Sequence, residues 1–160
     1  MKKNIVFYLL FLAVVSNAQI KKEYVKTYYK NGALESEGWL VENTKTDYWF
    51  FYHSNGKLAS KGHFKADHQE KYWYFYSSKG NLEKEGHFND GLKNNWWVFY
   101  DKKGKTTKKK QFLNDKINGY CIRYKDNKII KIEKYVNNSK TKEWTNFEDF
   151  QKDNKLTDLI

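Results

Sequence analysis

Proline is absent from the 160 residues, and cysteine and arginine occur once each, as Cys121 and Arg123. Without proline, and with nine glycines, the chain is not collagen-like or a proline-rich spacer. A lone cysteine cannot close an internal disulfide, and Cys121 lies in an aromatic strand pattern that suits a small buried residue. The net charge of +11 rests on lysine, whereas base edges and phosphates are gripped by arginine's planar fork, so no nucleic-acid partner is expected. A G-x-S-x-G elbow and a phosphate-binding glycine loop are both missing. What is present is 39% hydrophobic and 19% aromatic residues, enough to order a chain that is 31% charged.

Residues 1–18 read as an export signal. Lys2 and Lys3 precede an eleven-residue apolar run at 5–15, followed by Ser16, Asn17 and Ala18 at the cleavage pockets. Eleven residues rise too little to cross about 30 Å of hydrocarbon. The mature chain is expected to start at Gln19, to carry no transmembrane segment, and to be periplasmic or secreted.

A 24-residue period organises the remainder. Gly32, Gly56, Gly80 and Gly104 recur at that spacing, as do Gly38, Gly62 and Gly86. Tyr28, Tyr52, Tyr76, Tyr100 and Tyr124 form another series, and Tyr48, Tyr72, Trp96, Tyr120 and Trp144 a fourth. Such a period implies stacked units that bury their faces on one another. Within a unit, the runs at 48–52 and 58–64 flank His53, Ser54, Asn55, Gly56 and Lys57, a hairpin signal. Lysine precedes glycine in later copies and disfavours a two-positive-φ turn, so a three-residue loop with glycine at a bulge is predicted. Strand alternation from that loop sets Tyr48, Phe50, Tyr52, Leu58, Gly62 and Phe64 on one buried side. Trp49, Phe51, Ala59, Lys61 and His63 fall on the other, half-exposed side. A one-residue register shift would exchange these assignments.

The fold class predicted is all-β: an elongated, twisted antiparallel meander of about five hairpin repeats, roughly ten strands, over 19–144. Residues 145–160 form a cap, with a short amphipathic helix over 146–158 opened by a capping box at Thr145, Asn146, Phe147 and Glu148. Phe147, Phe150, Leu156 and Leu159 share its apolar face.

The unit at 52–64, tyrosine then Asn-Gly, leucine, glycine and phenylalanine, resembles the MORN-repeat variant of bacterial proteins. Gly86, His87 and Phe88, with Trp96, Trp97, Val98, Phe99 and Tyr100, are similar to the same family. The resemblance spans about 24–144 and implies a sheet of successive hairpins used as an interaction platform, often labelled an antitoxin component. The family places glycine after the inter-hairpin turn, where this chain has Asp47, Lys71 and Asn95, and only Gly119 agrees.

No catalytic, metal-binding or cofactor-binding residue is assigned. His63 and His87 lie two strands, about 10 Å, apart, too far to share zinc easily. Glu35 with Glu37, and Glu83 with Glu85, read as acids of one strand face engaged in cross-strand charge pairing. Two binding features remain. Trp49, Phe51, Trp73, Phe75, Trp97 and Phe99 form an aromatic strip that is either covered by another layer or a binding site. Lys102, Lys103, Lys105, Lys108, Lys109 and Lys110 form a basic patch, either a solvated edge guard or a lure for an anionic surface. The expected function is that of an exported, non-enzymatic module holding a protein partner. A glycan or anionic-envelope ligand, or an immunity role, is the alternative.

Overall fold

The computed structural model describes residues 21–159; the expected export signal lies outside them. The described residues form one antiparallel sheet of eleven strands in chain order. They are β1 (Lys22–Tyr28), β2 (Leu34–Val41), β3 (Thr44–Tyr52), β4 (Leu58–Lys65), β5 (His68–Tyr76) and β6 (Leu82–Asn89). The series continues with β7 (Leu92–Tyr100), β8 (Thr106–Leu113), β9 (Lys116–Lys125), β10 (Lys128–Val136) and β11 (Ser139–Trp144). The predicted all-β meander of hairpin repeats with a C-terminal helix is therefore the fold. It has one strand more than the ten expected.

The period has a simple composition. A nine-residue strand, a five-residue loop, an eight-residue strand and a two-residue turn make one unit, as in β3 and β4. The loops follow the predicted design: the His53 N–H donates to the Lys57 carbonyl, the Gly56 N–H to that of His53, and Gly56 is left-handed at φ 80°. The opposite ends of the strands turn differently. Glu42 and Asn43, Ala66 and Asp67, Asn114 and Asp115 all have positive φ at both positions, the signature of a type I′ turn. Asp67 offsets its strain by capping the start of β3, its Oδ1 accepting from the Lys45 N–H at 2.8 Å. In the fifth copy the five-residue loop shrinks to a type I′ turn at Asp126 and Asn127.

The register corrects the predicted faces. Tyr52 pairs with Leu58 as expected, but Phe51 then pairs with Ser60 and Trp49 with Gly62, so Ala59 is an extra, unpaired residue. This β-bulge advances β4 by one position. Gly62 and Phe64 consequently share a side with Trp49 and Phe51, while Lys61 and His63 join Tyr48, Phe50 and Tyr52. A second irregularity follows in the next strand pair. Between the pairs Lys61–Tyr74 and His63–Glu70, β4 contributes one residue, Gly62, and β5 three. Lys71 opens that bulge at φ 61°, and Asp47 and Asn95 do the same at 57° and 56°. The chain thus takes the left-handed conformation at the position where its glycine is missing.

The C-terminal helix α1 spans Phe147–Asp153, shorter than predicted, and a 3-10 turn follows at Leu156–Leu159. Its N-cap is Asn146 rather than Thr145: Asn146 Oδ1 accepts from the Asp149 N–H at 2.8 Å, and its amide reaches the Asp149 carboxylate. Phe150, fully buried, packs edge-on against Tyr120 and Trp144. The cap covers the tyrosine side of β9 to β11, where Ile122 and Ile132 complete a small core.

Candidate interaction faces

One side of the sheet is a tryptophan face. Each indole lies on the glycine of the strand before it: Trp49 on Gly38, Trp73 on Gly62 and Trp97 on Gly86. The ring nitrogens donate to backbone carbonyls, Trp73 to His63 at 3.0 Å and Trp97 to His87 at 3.1 Å. Between successive indoles sit phenylalanines, with Phe51 5.9 Å from Trp49 and 6.2 Å from Trp73, centroid to centroid. Phe64 and Phe88 close the rows edge-on. Lysine ammoniums cap the outer surface: Lys93 stands over Trp97, Lys84 over Phe75 and Lys108 over Phe99.

The sequence left the Trp49–Phe99 strip either layered over or open. It is covered by its own residues. Trp49, Trp73 and Trp97 are 2%, 1% and 0% exposed, whereas Phe51, Phe75 and Phe99 are half-buried. The phenylalanine edges and lysine heads are what this face offers to a partner.

The other side is a tyrosine face, on which the helix leaves the larger part bare. Tyr48 lies tilted beside Phe50, and Tyr72 beside Tyr74, each at 5.1 Å. His63 and His87 meet Tyr48 and Tyr72 edge-on at 4.8 and 4.7 Å. His53 Nε2 lies 2.9 Å from the Tyr76 carbonyl, and His68 contacts Asp90. Each histidine thus has a place in the packing of the repeats.

Charge runs down the middle of this face with alternating sign, in the column Glu37, Lys61, Glu85 and Lys109. Tyr52 donates its phenol to Glu37 at 2.7 Å, and Tyr100 donates to Glu85. Glu37 also pairs with Lys26 at 3.4 Å. The Tyr52 hydrogen bond, reinforced by Tyr24 and Lys26, holds the Glu37 carboxyl below its ordinary range. Burial first, then the neighbouring carboxylates, push Tyr52 and Tyr72 up to about 12, so both remain neutral donors at physiological pH. The other two acids, Glu35 and Glu83, are exposed bulge residues without a cross-strand partner, so the expected one-face acid pairs do not form.

The six-lysine run is dispersed. Lys102, Lys103 and Lys105 lie in the loop after β7, which folds around Asp101 as its carboxylate accepts from the N–H groups of Lys103 and Lys105. Lys105 also pairs with Asp126 at 3.4 Å. Lys108 and Lys110 stand opposite Phe99 and Trp97 on the tryptophan face, and Lys109 opposite Val98 on the tyrosine face. Strand alternation divides what the linear sequence concentrates. Cys121 is buried, and desolvation pushes its thiol pKa up, away from the reactive thiolate.

A candidate surface that sequence reasoning missed is the row Tyr48, Phe50, Tyr72 and Tyr74; Trp96, in the same column, packs against the core under the cap. Its signal lies in the column Tyr48, Tyr72, Trp96, Tyr120 and Trp144, which is aromatic in all five copies. Among the described residues, no helix is long and apolar enough to cross a membrane.

No family model matches the chain, and a search of curated proteins finds no match. Among solved structures, the chain is similar to one described as the crystal structure of accessory secretory protein 1,2 and 3 in Streptococcus pneumoniae. The identity is 12% and the TM-score 0.36, over 79% of this chain and 22% of that one. The chain spans less than a quarter of that structure's length.

Proposed function

We propose that the protein is an exported, non-enzymatic binding module that holds a protein partner on its tyrosine face. The observation that carries this reading is the seat of Phe150. Tyr120 and Trp144 belong to the same 24-residue column as Tyr48, Tyr72 and Trp96, and between them they take a helix-borne phenylalanine out of water completely. Trp96 packs against that same core, and the members beyond it, Tyr48 and Tyr72, repeat that chemistry about 10 Å apart, two strands per step. An amphipathic helix with aromatic or aliphatic anchors fits such a surface, and half-buried tyrosine and tryptophan are the side chains on which protein interfaces concentrate their energy. Lys61 and Glu85 lie within the row and favour a partner with charges of both signs. The resemblance to MORN-variant repeats, used as platforms, supports the same role. Export rests on the leader pattern at 1–18.

The test is capture of a partner from an envelope extract by wild-type protein and by folded Tyr48→Ser and Tyr72→Ser variants. Loss of one protein band in both variants, with Phe51→Ser retaining it, is expected. Undiminished capture overturns the tyrosine-face assignment. Retention on cell-wall resin that is abolished by salt would instead favour the glycan or anionic-envelope reading. N-terminal sequencing of the periplasmic fraction, expected to begin at Gln19, checks export.

A further inference from the structure

An open sheet has two edges, and among the described residues these are β1 and β11. They are defended unequally. The six-residue β11 carries Lys140 and Lys142, held by Glu143 at 2.6 Å and Asp153 at 2.8 Å, and α1 packs beside it. Charge and cover of this kind block strand addition. The seven-residue β1 likewise carries two held lysines, Lys22 by Asp47 and Lys26 by Glu37, but among the described residues no helix packs beside it, and Tyr24 and Tyr28 are 44% and 59% exposed, with Trp39 beside Tyr24 at 37%.

The composition of β1 also departs from the repeat where a neighbouring strand would be felt. Interior tryptophans lean onto the preceding strand, as Trp49 does on Gly38. Val25 holds that column in β1, where an indole would overhang the edge. Thr27 likewise replaces the phenylalanine column and bonds to Ser36 at 2.8 Å. The tryptophan-face side of the edge is therefore flush.

We infer that β1 pairs antiparallel with β1 of a second copy of this chain, about a dyad through Val25. A dyad perpendicular to the sheet keeps each face continuous, so opposed residues must come from the same face. Pairing about Val25 engages all seven residues of the strand and sets Lys22 opposite Tyr28, Glu23 opposite Thr27 and Tyr24 opposite Lys26. No like charges face each other. Centring on Tyr24 opposes Lys22 to Lys26, and centring on Lys26 opposes that lysine to itself; like charges directly opposite are destabilising. Thus the full-length register is the charge-compatible one. Tyr24 beside the partner's Lys26 repeats the contact of Lys61 with Tyr74, 5.2 Å from ammonium to ring centre. The two tyrosine faces lie on the same side of the joined sheet, doubling the row of seats. This inference is independent of what those seats bind.

A single strand pair buries less than the roughly 1,200 Å² of a standard interface, so the dimer is concentration-dependent. Light scattering on protein purified from an expressing culture, over about 1–100 µM, is expected to rise from the mass of one chain to that of two. Val25→Lys opposes two ammoniums at the dyad, and is expected to raise the midpoint about tenfold, about 1.4 kcal/mol, with an unchanged circular dichroism spectrum. Val25→Cys is expected to form a two-chain disulfide on oxidation, since opposed Cβ atoms lie about 4.5–5.5 Å apart, at the edge of disulfide reach. Cys121 is 1% exposed and provides a silent background. Thr141→Cys, on the guarded edge, is expected to stay uncrosslinked. A one-chain mass throughout the range, an unmoved midpoint in Val25→Lys, or crosslinking of Val25→Cys no faster than that of Thr141→Cys overturns the proposal.

Discussion

The indole of Trp73 lies flat on the backbone of Gly62: a methyl group placed on Gly62 would stand 2.3 Å from Trp73 Cδ2. The same contact recurs at Gly38 with Trp49 and at Gly86 with Trp97. Cys121 takes the tryptophan column in the next copy, and Lys110 stands across from it in the glycine column. With the indole gone, the glycine is no longer required.

Gly62→Ala should therefore lower stability by about 3 kcal/mol, because neither the backbone nor a fully buried indole can yield. Gly56→Ala is the comparison. It shares the need for glycine, with φ 80°, but nothing lies within 4 Å of its Cβ, and a cost of about 1 kcal/mol is expected. Urea unfolding of the two variants separates close approach from backbone strain.

Lys71 sits at φ 61°, where a side chain is a liability. Lys71→Gly is expected to raise stability by about 1 kcal/mol. The reverse change at the matching position, Gly119→Ala, should destabilise twice over: φ is 109°, and the new Cβ would meet Gln111 Oε1 at 2.1 Å. That oxygen already accepts from the Tyr120 N–H at 2.7 Å. Thermal melts of both variants check the opposite signs.

Phe150→Ala empties the seat between Tyr120 and Trp144 and should cost about 3–4 kcal/mol, at the C-terminal end only. Repeats contact only their neighbours, so amide protection in β3 to β6 should persist while that of β10 and β11 falls. Hydrogen exchange resolves the two regions.

The tyrosine face predicts a response at both ends of the pH scale. Tyr52 and Tyr72 titrate at about 12 when folded, above their ordinary value of 10.0. A raised folded pKa contributes stability that is complete below 10 and is lost as pH climbs toward 12. Glu37 is shifted down from its ordinary 4.5, so its contribution is complete above 4.5 and lost as pH falls through the lower folded value. Tyrosinate absorbance should show a late-titrating phase whose amplitude falls, without vanishing, in Tyr52→Phe because Tyr72 remains, and Glu37→Gln should flatten the acid limb of stability against pH.

The loops at Gly32, Gly56, Gly80 and Gly104 were legible because each needs positive φ, and only glycine takes it without strain. The inter-hairpin turns were legible in place, at segments such as 42–45 and 66–69, but not as type I′, since Glu42 with Asn43, and Ala66 with Asp67, carry no glycine. In the second of these, a hydrogen bond from the Lys45 N–H at the start of β3 compensates the strain. The cap was readable as an amphipathic run ending in a helix. Its exact first residue depended on whether Thr145 or Asn146 met a free N–H, which chain direction alone does not settle.

Period, hairpin order and sheet class were written in the chain itself, because identical residues 24 apart must occupy identical environments in a stacked array. Which rings face which way was decided only by tertiary pairing. The bulge residues are two glutamates, Glu35 and Glu83, with Ala59 and Thr107, so no one residue type marks the point where alternation slips. In β2, β4 and β6 the slip brings a glycine under the indole of the next strand, and that fit exists only when the strands are already side by side.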